Sequence, residues 1–215
     1  MNLIDELYTD DPTSGQRKLR AAVRPKPFLS APGEMNRKFP YLLRGVMATR
    51  ANQVCSADIT YIRLKEGFPY LTAVIDRYSR RILSWRLSTT LSADFCKEAF
   101  REAIDRYGWP EIFNTDQGSQ YTSRQFTGIF DREGCPTRLS MDGRGRAYDN
   151  IFVERFWRTL KQEDIYIRGY ESVPECRRGI AAFMKRYNDV REHSSLDWNT
   201  PSDIYFGRVT LGEVA

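Results

Sequence analysis

Three acidic residues in this chain of 215 residues sit where their type is usually disfavoured, and together they could hold metal. Asp58 falls inside an alternating stretch between apolar neighbours, although aspartate is depleted from strand interiors and an unpaired buried carboxylate costs several kcal/mol. Asp116 follows Ile112–Thr115 directly and precedes Gln117-Gly118, so it stands at the C-terminal end of a short strand, where ligand sites gather. Glu154 falls in an early turn of a predicted helix and shares a face with Arg158 and Lys161. Each has a plain alternative: a satisfied strand carboxylate, a turn residue before glycine, a solvated helix face. Taken together, two strand carboxylates and one helical carboxylate are hard oxygen ligands for divalent metal. A pair of Mg²⁺ ions, replaceable by Mn²⁺, would serve phosphoryl transfer there, and Arg158 and Lys161 would meet a polyanionic substrate. Bases alone would point to binding; acids flanked by bases point to cutting or joining.

The elements that must position these acids can be read from periodicity. Gln53–Leu64 alternates, with Val54, Ser56, Asp58, Thr60 and Ile62 on one face and Cys55, Ala57, Ile59 and Tyr61 on the other. Phe68–Asp76 and Arg81–Leu87 follow after short connections and predict an antiparallel meander. Ser92 is placed as the cap of a helix running to Tyr107 and ended by Gly108, with Cys96, Phe100, Ala103 and Tyr107 as its stripe. Glu111–Thr115 is a fourth strand. Thr122-x-x-Gln125 has capping-box spacing for a helix carrying Phe126, Ile129 and Phe130 and ending at Gly134. Thr137–Met141 is the last strand. Asp149 or Asn150 caps a helix through about Asp164, Ser172-x-x-Glu175 opens one to about Asn188 on Cys176, Ile180, Phe183 and Tyr187, and Thr200 starts a short terminal helix. This order is mixed α/β and fits a ribonuclease H-like five-stranded sheet flanked by helices. A dinucleotide-binding reading would need a Gly-x-Gly-x-x-Gly after the first strand, which is absent.

Composition limits the rest. At 41% hydrophobic and 13% aromatic residues the chain can bury a core, which excludes disorder throughout. No apolar run approaches ~18 residues, so no membrane-spanning helix is expected. Met1–Asp11 is acidic without a signal-peptide pattern, and the expectation is a soluble, cytoplasmic protein. Cys55, Cys96, Cys135 and Cys176 form no Cys-x-x-Cys, and the single histidine, His193, cannot complete a zinc site with them, so free thiols are expected. The net charge of +5 is uneven: +4 in residues 1–50, zero in 51–137, +2 in 138–168 and −1 beyond. Basic arms and patches commonly meet phosphate backbones. Pro25, Pro27, Pro32, Gly33 and Pro40 make 1–50 an irregular arm with room for short helices only at Leu3–Tyr8 and Gln16–Val23. The expected division is an arm over 1–50, a catalytic core over 51–170 and a helical extension over 171–215.

Several strings are more specific. Ala57-Asp58-Ile59-Thr60-Tyr61, Ile75-Asp76-Arg77-Tyr78-Ser79-Arg80, Thr115-Asp116-Gln117-Gly118-Ser119-Gln120-Tyr121-Thr122, Ser140-Met141-Asp142-Gly143-Arg144-Gly145-Arg146, and Asp149-Asn150 to Val153-Glu154-Arg155-Phe156-Trp157 with Leu160-Lys161 resemble bacterial DDE insertion-sequence transposases. The tail Tyr187-Asn188, Arg191, His193 and Thr200-Pro201 resembles the same family, in its second-reading-frame subunit with a retroviral-integrase-like core. The resemblance implies Asp58, Asp116 and Glu154 as catalytic and metal-binding residues. It also implies DNA cleavage and strand transfer without a covalent enzyme intermediate, element ends and target DNA as double-stranded partners, action as a homo-multimer, and a first-frame helix-turn-helix partner or fusion. Arg144, Arg146, Arg158, Lys161, Ser119 and Gln120 are the expected DNA contacts. Three departures stand out: 37 residues separate Asp116 from Glu154, two more than the family pattern usually leaves; Cys55 stands where a tryptophan is common; and the arm is short. They motivate a second reading, a non-catalytic DNA-binding remnant or regulator of transposase multimers.

Overall fold

The computed structural model describes residues 37–65, 67–142 and 151–211. Five strands form one mixed sheet: β1 (Val54–Tyr61), β2 (Tyr70–Asp76), β3 (Ile82–Ser88), β4 (Ile112–Thr115) and β5 (Arg138–Met141), in the spatial order β3-β2-β1-β4-β5. β1, β2 and β3 are the antiparallel meander that short connections require, with β1 and β2 paired from Cys55 opposite Asp76 to Tyr61 opposite Tyr70. β4 joins the other edge of β1 in parallel and β5 joins β4 in parallel, each return needing a crossover of helices or turns. This is the five-stranded α/β sheet with flanking helices expected from the sequence.

Both faces of the sheet are covered, which explains why its central strands read as nearly continuous apolar runs. On one face α1 (Asp94–Tyr107) lays Phe95, Cys96, Ala99, Phe100 and Ala103 against Cys55, Ala57, Val74, Leu83 and Phe113. On the other, α4 (Ile151–Leu160) and α6 (Val173–Asp189) bury Val153, Phe156, Trp157, Leu160, Cys176, Ile180, Phe183 and Tyr187 against Ile62, Leu71, Ala73, Ile75 and Ile82. α6 starts as its sequence predicts, Ser172 accepting from the Glu175 backbone N–H. The terminal α7 (Pro201–Tyr205) is capped by Thr200 in the same way. Cys55 is a fully buried core residue, and all four cysteines are free, Cys135 being only half-buried.

Three boundaries differ from expectation. The helix expected from Thr122 to Gly134 is two single turns, α2 (Ser119–Thr122) and α3 (Arg124–Thr127). Thr122 Oγ1 donates to the Gly118 carbonyl and so belongs to the first turn, while Ser123 is extended (ψ 146°) and caps the second, accepting from Phe126 N. Ile129 and Phe130 still pack on the core beyond α3. α1 is preceded by Ala93, which offers no side-chain cap, so Ser92 does not cap it. α4 gives way after Leu160 to a π-helical turn, Lys161–Ile165, followed by α5 (Tyr166–Arg168). The expected caps Asp149 and Asn150, the arginines Arg144 and Arg146, and the short helices at Leu3–Tyr8 and Gln16–Val23 lie outside the described residues. Among the described residues no helix is long and apolar enough to cross a membrane.

Candidate active site

Strand register brings the first two acids together. β1 and β4 run parallel with Val54 opposite Ile112, Cys55 opposite Phe113 and Ser56 opposite Asn114. Carrying that offset two residues on sets Asp58 opposite Asp116, on the same face because side chains alternate with a period of two. Each carboxylate is then fixed locally. The indole Nε1–H of Trp157 donates to Asp58 Oδ2 at 3.0 Å, tying β1 to α4. The Gly118 N–H donates to Asp116 Oδ1 at 3.0 Å, a turn that an aspartate two residues before a glycine favours. A Cβ at Gly118 would lie 3.0 Å and 3.2 Å from the two Asp116 oxygens, so this close approach excludes any larger residue without displacing the carboxylate.

The electrostatics follow from that geometry. Burial, and then the neighbouring Asp116, push the Asp58 carboxyl up to about 6, against smaller pulls from hydrogen bonds made by Ile59 N–H and Trp157. Glu154 adds a last, smaller push in the same direction. Burial also raises Asp116, the Gly118 hydrogen bond opposing it. Lys161 is lowered by burial and raised by Asp58, and its Nζ sits 5.1 Å from the Tyr61 ring centroid. Two half-buried carboxylates, both raised by burial and one of them raised further by the other's charge, are a donor pair suited to a hard divalent cation. Glu154 lies on α4 one turn before Arg158 and is exposed; among the described residues no group of three His, Cys, Asp or Glu side chains is close enough to hold a metal ion. The structure therefore assembles two of the three expected ligands and leaves the third on the adjoining helix.

The expected DNA contacts are placed as follows. Arg158 is exposed and makes no ion pair among the described residues, and Lys161 stands beside Asp58. Ser119 is exposed at the first turn of α2, and Gln120 Nε2 donates to the Leu91 carbonyl at 3.2 Å. Two parts of the site escaped the sequence. Trp157 is buried, which a helical apolar stripe suggests, but its bond to Asp58 is visible only once α4 is docked on β1. The second is a polar floor under Asp116. β4 and β5 pair Asn114 with Ser140, and the same offset sets Asp116 opposite Asp142, which is 9% exposed. Asn114 Nδ2 donates to Asp142 Oδ1 and Ser140 Oγ to Asn114 Oδ1, both at 2.8 Å, while Gln117 Nε2 donates to the Asp142 carbonyl at 2.7 Å. A polar residue in an otherwise apolar strand, Asn114 in Ile-Phe-Asn-Thr, was the available signal.

Comparison with known proteins agrees with the architecture. The integrase core domain family matches residues 48–145 and again 136–201. The chain is 36% identical over 179 residues to the transposase for insertion sequence element IS904 of Lactococcus lactis, covering 82% of this chain and 67% of that protein. It is 35% identical over 150 residues to transposase InsF of Escherichia coli, covering 68% and 51%, and 29% identical over 190 residues to the putative transposase InsK, covering 87% and 66%. The chain thus spans between half and about two thirds of these relatives' length. Among solved structures, the HTLV-2 integrase catalytic core domain in complex with magnesium superposes with a TM-score of 0.57 at 20% identity, over 73% of this chain and 97% of that one. An intasome of simian T-cell lymphotropic virus superposes with a TM-score of 0.64 at 16% identity, over 94% and 74%. These structural likenesses fix the fold as ribonuclease H-like. With the family match and the sequence identity to IS904 transposase, the chain belongs to the insertion-sequence transposases built on an integrase core.

Proposed function

We propose that this chain cleaves phosphodiester bonds at the ends of a mobile DNA element and joins the freed 3′-hydroxyls to target DNA. The observation that carries the reading is the closeness of Asp58 on β1 to Asp116 just past β4, along the parallel β1–β4 register, with Glu154 on the helix that Trp157 ties to Asp58 and Lys161 in the π-helical turn that continues it. Asp58, Asp116 and Glu154 are the residues that would hold divalent metal, Mg²⁺ with Mn²⁺ able to replace it, as two ions once DNA is bound. When bound, such metal supplies charge neutralisation at the phosphate and a more acidic attacking hydroxyl. The protein's own part is positional. Trp157 and the Gly118 N–H hold the two aspartates, and Lys161 and Arg158 offer positive charge to the scissile phosphate and its neighbours. Ser119, Gln120, Arg144 and Arg146 would extend the contact along the backbone. In each step a phosphodiester P–O bond breaks as a hydroxyl oxygen, from water first and then from the DNA end, bonds to phosphorus, and the departing oxygen takes up a proton. Homo-multimers on double-stranded DNA and a first-frame helix-turn-helix partner, in the cytoplasm at the nucleoid, complete the reading. The relatives, which are transposases, and the fold shared with an intasome support it.

Glu154 is exposed and forms no three-ligand group with the aspartates among the described residues, which favours a second reading, a DNA-binding remnant that regulates active multimers. One experiment separates them. The purified chain is incubated with Mg²⁺ or Mn²⁺, duplexes carrying the element ends and target DNA, beside Glu154→Gln and Asp58→Asn. Cleavage and joining by the wild type and by neither variant support the catalytic reading. A folded wild type that binds the ends without cutting them under either metal supports the remnant. Equal activity in Glu154→Gln removes the third ligand.

A further inference from the structure

α4 has two polar sides. Glu154 and Trp157, followed by Lys161 in the π-helical turn, lie on the side toward Asp58, whereas Phe152, Arg155, Phe156 and Thr159 project from the opposite side, as helical spacing requires. There they line a cavity of about 130 Å³ with Arg80, Arg191 and His193. Three guanidiniums and an imidazole converge on one space with little negative charge to meet them. Glu163 pairs with Arg191 and is shared with Arg186. Asp76, the acid whose field reaches Arg80, already accepts from the Ser79 N–H and hydroxyl and from the Asn52 N–H. Arg155 is exposed and has no ion pair among the described residues.

Two further observations point to a ligand. His193 Nε2 is buried and has no hydrogen-bond partner among the described residues, an arrangement that costs stability unless something completes it. Arg80 adopts a left-handed backbone, φ 64°, at the turn between β2 and β3, where a non-glycine residue is strained. The turn fixes that conformation through Arg80 N–H to the Asp76 carbonyl at 2.9 Å, and the side chain lies flat on the Phe152 ring, 3.6 Å from its centroid. Burial, then Arg77 and Arg155, press its guanidinium down to about 10, while Tyr187 and Asp76 oppose them. Strain and charge crowding are thus held in place at one pocket.

We propose that this pocket binds a phosphate group of the DNA backbone, a second contact across α4 from the carboxylates, with Arg80, Arg155 and Arg191 as its charges. A phosphate oxyanion matches guanidinium donors in geometry and relieves their mutual repulsion. Because the width of a helix, roughly 10 Å, separates the two sides of α4, the contact anchors DNA away from the bond being cut. The inference rests on the proposed function only in taking DNA as the source of the phosphate.

The test uses the full chain with inorganic phosphate, and with a labelled duplex in titrations from low to high salt. Arg155→Gln and Arg155→Glu are compared with Arg101→Gln, which removes an equally exposed charge on the opposite face of the sheet. Phosphate raises the melting temperature of the wild type and of Arg101→Gln but not of the Arg155 variants. The slope of log K against log salt falls by about 1 in Arg155→Gln, at least as much in Arg155→Glu, and stays unchanged in Arg101→Gln. An unchanged slope together with lost phosphate stabilisation marks a site for free anions and overturns the proposal. Unchanged phosphate stabilisation in both Arg155 variants overturns it too. Cleavage is read in the same samples: absent cleavage with the pocket's slope effect intact strikes the catalytic reading and supports this one.

Discussion

Asp58 is where stability and chemistry oppose each other most directly. Its folded-state carboxyl is raised from an ordinary 3.8 to about 6, by burial first and Asp116 second, so the folded chain holds the proton more tightly than the unfolded one. Stability therefore declines as pH rises from about 4 to about 6, and the full penalty is present above that window. Asp58→Asn removes the penalty. Without metal and above pH 6, the variant is expected to be more stable by about 2 kcal/mol, a melting-temperature gain of about 5 °C. The gain should shrink toward zero below pH 4, and added Mg²⁺ should raise the wild type and narrow the difference. Calorimetry across pH with EDTA or Mg²⁺ checks this, and a variant less stable than wild type at pH 7.5 in EDTA would contradict it. Gly118 acts on the partner carboxylate. Its backbone angles are ordinary, so alanine there leaves the turn possible, yet the new Cβ meets both Asp116 oxygens. Gly118→Ala is expected to keep the folding stability within about 1 kcal/mol of wild type and to slow DNA cleavage, because the new Cβ makes the Asp116 carboxylate give way at a centre where catalytic geometry is exacting. Equal cleavage rates for the two proteins would sink the assignment of Asp116.

At the scale of elements, periodicity carried most of the fold. The alternation over Gln53–Leu64 located β1, and the stripe Cys176, Ile180, Phe183 and Tyr187 located α6, because side chains return to one face every two residues in a strand and every 3.6 in a helix. Asp58 and Asp116 were legible as misplaced carboxylates, but their opposition needed the β1–β4 register, which is set by long-range pairing and not by any local spacing. The turns after β4 were misread for a local reason: Thr122 and Ser123 both have cap chemistry, and only the fold decides which hydroxyl turns back on its own helix. Gly179, within α6, was equally silent. The ring of Tyr170 lies against it, so that a Cβ would be 1.8 Å from the Tyr170 Oη, and that hydroxyl donates to Asp164 Oδ2 at 2.7 Å. Alanine is the better helix former by about 1 kcal/mol. Gly179→Ala is nevertheless expected to destabilise by a net 1–2 kcal/mol or so, since Tyr170 is only 6% exposed and must leave both its pocket and Asp164. Urea denaturation decides it, and a variant with a higher midpoint would refute the packing argument.

For the whole molecule, the charge and the domain boundary meet at the sheet edge formed by β4 and β5. Residues 51–137, which carry the first two acids, are neutral in sum, and the excess of +4 lies ahead of them. The expected arm was drawn to residue 50, but its last part is docked on the core. Leu43 is 5% exposed and packs with Val54 and Ile112, and Phe39 lies against the α1 side of the sheet. The backbone is tied in as well, Arg37 N–H to the Thr122 carbonyl at 3.1 Å and Leu42 N–H to Ser140 Oγ at 3.0 Å. Ser140 passes that bond on to Asn114 and so to Asp142, which places the strap one hydrogen-bond chain away from the floor of Asp116. A chain beginning at residue 51 should therefore lose more than charge. Against a chain beginning at residue 36, it exposes Val54 and Ile112 and leaves Ser140 Oγ without its donor, a cost of about 3 kcal/mol from the apolar contacts alone. That corresponds to a melting temperature lower by about 8 °C. If the strap only contributed charge, through pairs such as Arg37 with Asp131 and Arg50 with Glu111, the two chains would differ at low salt and melt together at high salt. A deficit that persists in 0.5 M salt, where surface charges are screened, identifies packing as the cause and assigns residues 37–50 to the catalytic core.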